Sequence, residues 1–237
     1  MRVLVTRPLP AAESTARRLE AVGHQPVLLP LMQATHLPAA ANAALKMPYA
    51  ATILTSAETV RVLASLNGSP TDHLAIPCFC VGEATARAAE DLGFADIRVG
   101  NGTGEALAAL IAATIGTRAK RPLLYLTGTP RSEGLESALR QSGIDHEAVE
   151  CYRMEPIAHS AGALQDATRT GPFGAVLLYS RETASRLAIL LSESGISAPS
   201  FASRYLCLSA AIADALPHDA MREVAARPDE ESLFSIL

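Results

Sequence analysis

The sequence contains no tryptophan, and aromatic residues make up only 4% of it. Charged residues are also scarce, at 19%, and the net charge is −4, so the chain lacks the basic excess that nucleic-acid-binding proteins usually carry. No apolar run approaches the ~20 residues of a membrane span. Because 49% of the residues are hydrophobic, we expect a protein with substantial cores and with no nucleic-acid or membrane partner.

Cysteine and histidine are too few and too scattered to indicate a metal site or a disulfide framework. None of Cys78, Cys80, Cys151 and Cys207 forms a C-x-x-C pair, and the six histidines have no ligand spacing. We therefore expect no metal and free, buried thiols in a reducing compartment. The apolar run in residues 1–8 is far too short for a signal-peptide core, so we expect a cytoplasmic protein.

Short β-rich runs alternate with longer Ala/Leu/Arg segments of helical period. The predicted strands cover residues 2–6, 26–31, 51–54, 76–81, 96–99, 123–126, 146–152, 175–178, 204–208 and 221–225. The predicted helices cover residues 11–22, 57–66, 83–92, 104–115, 131–141, 182–191 and 210–216. This alternation predicts an α/β protein whose parallel sheets are covered by helices on both faces.

Three segments of the first half recur in the same order in the second half. Residues 51–59 match residues 175–183, so that Ser56 corresponds to Ser180. Residues 4–8 likewise match 125–130, and residues 80–86 match 207–213 more weakly. Strand-turn-helix units share a general likeness, but the common order favours a duplication and therefore two similar doubly wound domains.

Two extended, proline-closed segments are candidate crossings between these domains. One lies within residues 29–38 and the other covers residues 151–157. If the chain crosses at 35–38 and again at 151–157, residues 39–150 form one domain. Residues 1–34 then join residues 158–237 in a discontinuous second domain.

The motifs together resemble those of the uroporphyrinogen-III synthase family. The matching runs are Leu4-Val5-Thr6-Arg7-Pro8, Ile53-Leu54-Thr55-Ser56, Val81-Gly82-Glu83-Ala84-Thr85-Ala86, Val149-Glu150-Cys151-Tyr152 and Leu178-Tyr179-Ser180. Each run is short, but their order and spacing cover nearly the whole chain. One block departs from the family pattern, because Ala211 and Ile212 stand where many members have threonine, and Ser209 offers the nearest hydroxyl.

The resemblance implies two flavodoxin-like, doubly wound domains joined by a two-stranded extended linker. It also implies a cofactor-free hydro-lyase that closes linear hydroxymethylbilane to uroporphyrinogen III in the cleft between the domains, with inversion of the terminal pyrrole ring and loss of water. The substrate closes to the wrong isomer without help, so catalysis is largely a matter of holding one reactive geometry. A transient contact with the preceding enzyme of the pathway is a further expectation.

Ligands of doubly wound sheets bind beyond the carboxyl ends of the strands. Polar residues that follow predicted strands, or enter the next helix, are therefore the candidate substrate-binding residues. They are Arg7, Thr55, Ser56, Gly82, Thr85, Thr127, Gly128, Ser180 and Ser209. For Ser56 and Ser180 the alternative is helix N-capping, which is compatible with binding, because free N–H groups at a helix start attract carboxylates.

Tyr152 is the candidate catalytic residue, because it lies where a predicted strand ends in a candidate linker and matches the family's tyrosine position. A phenol can donate a proton or hydrogen bond to a departing hydroxyl; the alternative is a tyrosine that only packs. The Arg7 guanidinium could bind a carboxylate bidentately or simply be solvated.

Other interpretations remain open at this point. A two-lobed small-molecule binding protein would also have two crossings, although such receptors are usually exported. A nucleotide- or flavin-dependent enzyme would need a phosphate loop, and residues 100–104 lack the lysine and the spacing of one. The low charge content and the lack of a long apolar helix face lead us to expect a monomer.

Overall fold

A computed structural model describes residues 1–66, 71–116, 119–160 and 162–237. The strands are β1 (Arg2–Val5), β2 (Gln25–Leu28), β3 (Met32–His36), β4 (Thr52–Leu54), β5 (Cys78–Cys80), β6 (Ile97–Val99), β7 (Leu123–Thr129), β8 (His146–Pro156), β9 (Ala175–Leu178), β10 (Tyr205–Cys207) and β11 (Arg222–Val224). The helices are α1 (Ala11–Ala21), α2 (Pro38–Ala44), α3 (Ala57–Ala64), α4 (Thr71–Leu74), α5 (Glu83–Leu92), α6 (Gly104–Thr114), α7 (Gly134–Gln141), α8 (Ala163–Thr168), α9 (Arg181–Ser194), α10 (Ala198–Phe201), α11 (Ala210–Ala213) and α12 (Glu230–Phe234).

The chain divides into two compact units. Unit 1 comprises Met1–Gln33 and Glu155–Leu237, and unit 2 comprises Ala34–Met154. The limits fall inside β3 and β8, which are neighbours in one sheet. That each unit is an independent domain with the limits expected from the prolines stays a prediction.

Unit 1 is built on a five-stranded sheet in the order β2-β1-β9-β10-β11, with every neighbouring pair parallel. Its inner strands β1, β9 and β10 are almost entirely apolar and buried because both faces are covered. Val3 and Val5 pack on the face that carries α1 and α12, whereas Leu4 packs on the opposite face. The order is that of a flavodoxin-like doubly wound sheet.

Unit 2 contains a six-stranded sheet in the order β6-β5-β4-β7-β8-β3. The pairs from β6 to β8 are parallel. Five of these strands correspond to the five strands of unit 1: β7 and β8 correspond to β1 and β2, and β4, β5 and β6 correspond to β9, β10 and β11. With this matching the two sheets have the same strand order, as the sequence repeat predicts, and β3 is an additional edge strand. The α/β class with two largely parallel sheets is thus confirmed.

The residues that the sequence indicated as a linker between 29 and 38 include β3 and the start of α2. The short helices α2, α4, α8, α10 and α12 were not predicted, because four to seven residues are too few to display a helical period. The predicted helix at 131–141 begins only at Gly134.

Strand β7 is longer than predicted, and this changes the interpretation of two site candidates. Thr127 and Gly128 were expected to follow the strand, but both belong to it. Pairing with β8 continues past a register shift between them, with Gly128 opposite Tyr152. Threonine and glycine at these positions are typical of a turn in the sequence. In the structure they stay extended because they pair with the long neighbouring strand β8.

The four cysteines are free and buried, as expected. The Sγ atoms of Cys78 and Cys80 lie 3.8 Å apart on one face of β5. Helix ends also follow the sequence: Gly93 ends α5 in the left-handed conformation at φ 105°, which costs glycine no steric penalty.

Candidate functional site

A pocket of about 270 Å³ opens at the carboxyl ends of the central strands of unit 2. Four of the residues singled out in the sequence line it. They are Thr55, Thr127, Gly128 and Tyr152. Further lining residues were not among the site candidates; they include Val81, Gly104, Tyr125, Ser132 and Leu135.

The register of β4 and β7 explains why the two threonines meet. Leu54 is paired with Leu126, so the next residues, Thr55 and Thr127, lie side by side. Tyr125 precedes Thr127 by two positions and therefore shares its face of the sheet. This alternation is the sequence signal that could have identified Tyr125 as a lining residue.

Tyr152 lies flat against a position where no side chain fits. A Cβ atom added to Gly128 would lie 2.2 Å from Cζ and 2.3 Å from Cε2 of the Tyr152 ring. Glycine is therefore needed at this point of β7 so that the ring can pack against the backbone. The side chain is held in place, and Tyr152 is only 9% exposed.

The environment of Tyr152 keeps its phenol protonated. Burial raises its pKa; a hydrogen bond with the Ser56 hydroxyl offsets part of this effect, and the nearby Cys151, Glu58 and Tyr125 raise the pKa further. A phenol whose pKa lies above the ordinary value of about 10 carries its proton at neutral pH. The Tyr152 phenol therefore carries a proton that it can donate.

A second phenol, that of Tyr125, joins the two threonine hydroxyls. Thr127 Oγ1 lies 3.0 Å from the Tyr125 hydroxyl, and Thr55 Oγ1 lies 3.1 Å from it on the other side. Tyr125 is 2% exposed. The pocket therefore presents two phenols and two aliphatic hydroxyls within a short distance of one another.

The positive charge at this pocket comes from Arg131. Its Nε donates to Glu136 Oε1 over 2.6 Å, and this hydrogen bond raises the pKa of the guanidinium. The arginine side chain is about one-third exposed. Arg131 thus lies at the pocket, and its Nε–H group is already bonded to Glu136.

Two of the candidate serines cap helices. Ser56 Oγ accepts a hydrogen bond from the backbone N–H of Glu58, and Ser180 Oγ accepts one from that of Thr183. N-capping, the alternative role that the sequence offered, is thus confirmed for both serines. The free backbone N–H groups at the starts of α3 and α9 still point beyond the ends of β4 and β9. Ser209 also precedes a helix but makes no such side-chain bond.

Gly82 and Thr85 lie at the start of α5. Gly82 is the N-cap, and a Cβ atom built on it would have its nearest neighbour, Gly102 Cα, at 3.9 Å. Thr85 is buried within the first turns of the helix. These two residues are not among those lining the pocket of unit 2.

In unit 1, Arg7 is engaged by a carboxylate that the sequence did not indicate. Glu230 of α12 lies 3.2 Å from the Arg7 guanidinium and also pairs with Arg18. Thr15 and Tyr179 donate hydrogen bonds to it over 2.6 Å and 2.7 Å. The Arg7 guanidinium also lies over the Tyr179 ring, 4.1 Å from its centroid.

The residues around Glu230 shift the pKa values of its carboxyl and of the Tyr179 phenol in opposite directions. Burial alone raises the pKa of the Glu230 carboxyl, but the hydrogen bonds from Thr15 and Tyr179 and the charges of Arg7 and Arg18 outweigh it and hold the pKa below its usual value. Burial, together with the Glu230 charge, raises the pKa of Tyr179.

Within the described residues there is no cluster of three or more His, Cys, Asp or Glu side chains arranged to hold a metal ion. The described helices are likewise too short or too polar for any of them to cross a membrane.

Comparison with solved structures shows the fold. The crystal structure of a uroporphyrinogen-III synthetase from Helicobacter pylori is similar, with a TM-score of 0.67 at 18% identity over 100% of this chain and 98% of that one. A mutant uroporphyrinogen III synthase from the extremely thermophilic bacterium Thermus thermophilus has a TM-score of 0.59 at 20% identity, over 100% and 95% of the two chains.

Sequence comparison gives the family. No curated protein sequence matches this chain significantly. The model of the family described as "Uroporphyrinogen-III synthase HemD", however, matches residues 13–235. Because this match spans nearly the whole chain, the protein belongs to the uroporphyrinogen-III synthase family and is a hydro-lyase.

Proposed function

We propose that this chain closes hydroxymethylbilane to uroporphyrinogen III without a cofactor, and that Tyr152 is its general acid. The family implies the bilane as substrate. The observation that carries the assignment of the acid is the buried, protonated phenol of Tyr152, held against Gly128 at the edge of a pocket.

The reaction needs one proton at the departing oxygen and returns one at the end. The Tyr152 phenol donates its proton as the terminal C–O bond breaks, so that the hydroxyl leaves as water. Ring closure with inversion of the last pyrrole then releases a proton from a ring carbon, which restores the phenol. General acid catalysis of this kind contributes on the order of 10² to 10⁴ in rate.

Substrate carboxylates need donors, and the net charge of −4 supplies no general attraction. In unit 2 we assign their binding to Thr55, Ser56, Gly82, Thr85, Thr127 and Gly128, where the Thr127 hydroxyl donates to Tyr125 and therefore acts indirectly. In unit 1 we assign it to Arg7, Ser180 and Ser209. The N–H groups at the capped starts of α3 and α9 add donors where the helix dipole favours anions. A carboxylate that binds Arg7 shares this guanidinium with Glu230.

The first test is the isomer of the product. Purified protein is coupled to hydroxymethylbilane formed in situ, and the oxidised type I and type III uroporphyrins are separated. We expect type III to predominate with no cofactor added. Type I alone, formed at the rate of a protein-free control, would indicate a related binding protein that has lost catalysis.

Replacing Tyr152 by phenylalanine tests the acid. The ring still packs against Gly128, but the donor is gone, so we expect kcat to fall on the order of 100-fold while KM stays nearly constant. Steady-state kinetics with the isomer assay measure both. Full turnover by this variant would remove Tyr152 from the mechanism.

We propose a monomer that works in the cytoplasm and receives the bilane in a transient contact with the preceding enzyme. The reason for the contact is chemical, because a substrate that closes spontaneously to the wrong isomer benefits from a short transit.

A further inference from the structure

We propose that Tyr125 is a positioning residue that fixes the Thr55 hydroxyl as a hydrogen-bond donor to a substrate carboxylate in the pocket of unit 2. The inference rests on the proposed function, because the carboxylate is that of the tetrapyrrole substrate. Tyr125 itself acts through Thr55.

The direction of the relay follows from the single proton that each hydroxyl carries. Thr127 Oγ1 donates to the Tyr125 hydroxyl over 3.0 Å, a shorter contact than its alternative acceptor, the Gly128 carbonyl at 3.5 Å. Tyr125 then donates its own proton to Thr55 Oγ1 over 3.1 Å. The proton of Thr55 is thereby left for an acceptor in the pocket.

The reverse direction is disfavoured. If Thr55 donated to Tyr125, the phenol proton could be accepted only by Thr127 Oγ1, because Tyr125 is 2% exposed and a buried donor left unpaired is costly. Thr127 would then have to donate its own proton to the Gly128 carbonyl over 3.5 Å, a longer and weaker contact than the 3.0 Å one to Tyr125. The buried phenol therefore selects the arrangement in which Thr55 faces the pocket as a donor.

The composition of the pocket indicates an anionic acceptor. Besides Thr55, its lining includes the Tyr152 phenol and Arg131, and the residues described as lining it include neither Asp nor Glu. Its volume, about 270 Å³, lies below the usual range for a whole drug-sized ligand. The pocket therefore suits one carboxylate-bearing side chain of the substrate.

The test is a double-mutant cycle between Thr55 and Tyr125. The variants are Thr55→Val, Tyr125→Phe, both together, and Thr55→Ser as the conservative rescue. Each is measured for KM, kcat and the Kd of uroporphyrin III, a fluorescent octacarboxylate. We expect Thr55→Val to raise KM and Kd roughly tenfold, as for loss of a hydrogen bond to a charged group, with kcat within about threefold. Tyr125→Phe should raise them by a smaller factor, and Thr55→Ser should stay near wild type.

The decisive result is non-additivity. If Tyr125 acts through Thr55, the double variant is no worse than Thr55→Val alone. Fully additive effects, or a Tyr125→Phe variant with unchanged KM and Kd, would overturn the proposal. Tyr205→Phe is the matched control, because it removes another buried phenol hydrogen bond, to the Ala198 carbonyl in unit 1. It should lower stability but leave KM and Kd unchanged.

Failure of the proposed function is recognised separately. If the wild-type chain forms no type III isomer, the proposed function fails, while the Kd values for uroporphyrin III still support or overturn the relay. A wild-type chain that neither forms type III nor binds uroporphyrin III would overturn both.

Discussion

Replacing Gly128 by alanine is expected to reduce turnover by about 100-fold or more. The added Cβ would lie 2.2 Å from Cζ of Tyr152, so the ring has to move by an ångström or more. A displacement of that size at a catalytic group costs on the order of 10² in rate. Overpacking of this kind also lowers the free energy of unfolding by about 1–3 kcal/mol. Isomer-resolved kinetics and denaturant unfolding measure the two effects.

The cause of this loss can be isolated by removing the ring. In a Tyr152→Ala background the clash is gone, so Gly128→Ala should cost little further stability. If the stability loss were equally large in both backgrounds, it would come from the β7 backbone and the packing explanation would fail. Gly162→Ala is the matched control, because the nearest atom to its added Cβ lies 4.0 Å away, and neither kinetics nor stability should change appreciably.

Replacing Glu230 by glutamine is expected to destabilise unit 1 by about 1–2 kcal/mol at neutral pH, since solvent partly screens its ion pairs. The carboxylate is about one-fifth exposed and pairs with both Arg7 and Arg18, which are 28% and 42% exposed, and removing one member of a partly buried ion cluster leaves the others without compensation. Thr15 and Tyr179 also lose a charged acceptor. Denaturant unfolding followed by circular dichroism measures the change, and a loss below about 0.5 kcal/mol would contradict it.

The same cluster predicts how stability depends on pH. The folded-state pKa of Glu230 is depressed, so its stabilisation is fully present above the unfolded-state value of about 4.3 and is lost as the pH falls through the folded-state pKa. The difference between wild type and Glu230→Gln should therefore shrink at low pH. Glu231→Gln removes an exposed charge from the same helix turn and should show neither effect.

Much of unit 2's candidate site was accessible from the sequence because its polar residues stand near predicted strand ends, although Thr127, Gly128 and Tyr152 prove to lie within β7 and β8. Thr55, Thr127, Gly128 and Tyr152 were identified this way, and the structure gathers all four at one pocket. Tyr125 was missed because it lies inside an apolar strand, where a tyrosine is usually a packing residue. Its role depends on where the phenol oxygen points, which alternation along the strand suggests but does not determine.

Unit 1 shows the opposite case. Arg7 was singled out for a carboxylate ligand, and it does bind one, but the carboxylate belongs to Glu230. These two residues are 223 positions apart, and the short helix that carries Glu230 has no recognisable period. Local sequence patterns identify the polar residues at a strand end. They do not identify a partner that is distant in sequence, because the two residues meet only when the chain folds.

The sequence by itself determined the α/β class, the alternation of strands and helices, the helix-ending glycines and the family. These features depend on local periodicity, on capping and on the order of short motifs, all of which are written along the chain. The proline-closed segments also predicted that residues 1–34 join residues 158–237. The tertiary structure decided where strands begin and end, because pairing with β8 keeps Thr127 and Gly128 within β7. It also decided that Gly128 must lack a side chain, because the ring of Tyr152 packs across it. Both outcomes arise from packing between segments far apart in the chain, and no local pattern encodes the partner that a buried surface will meet.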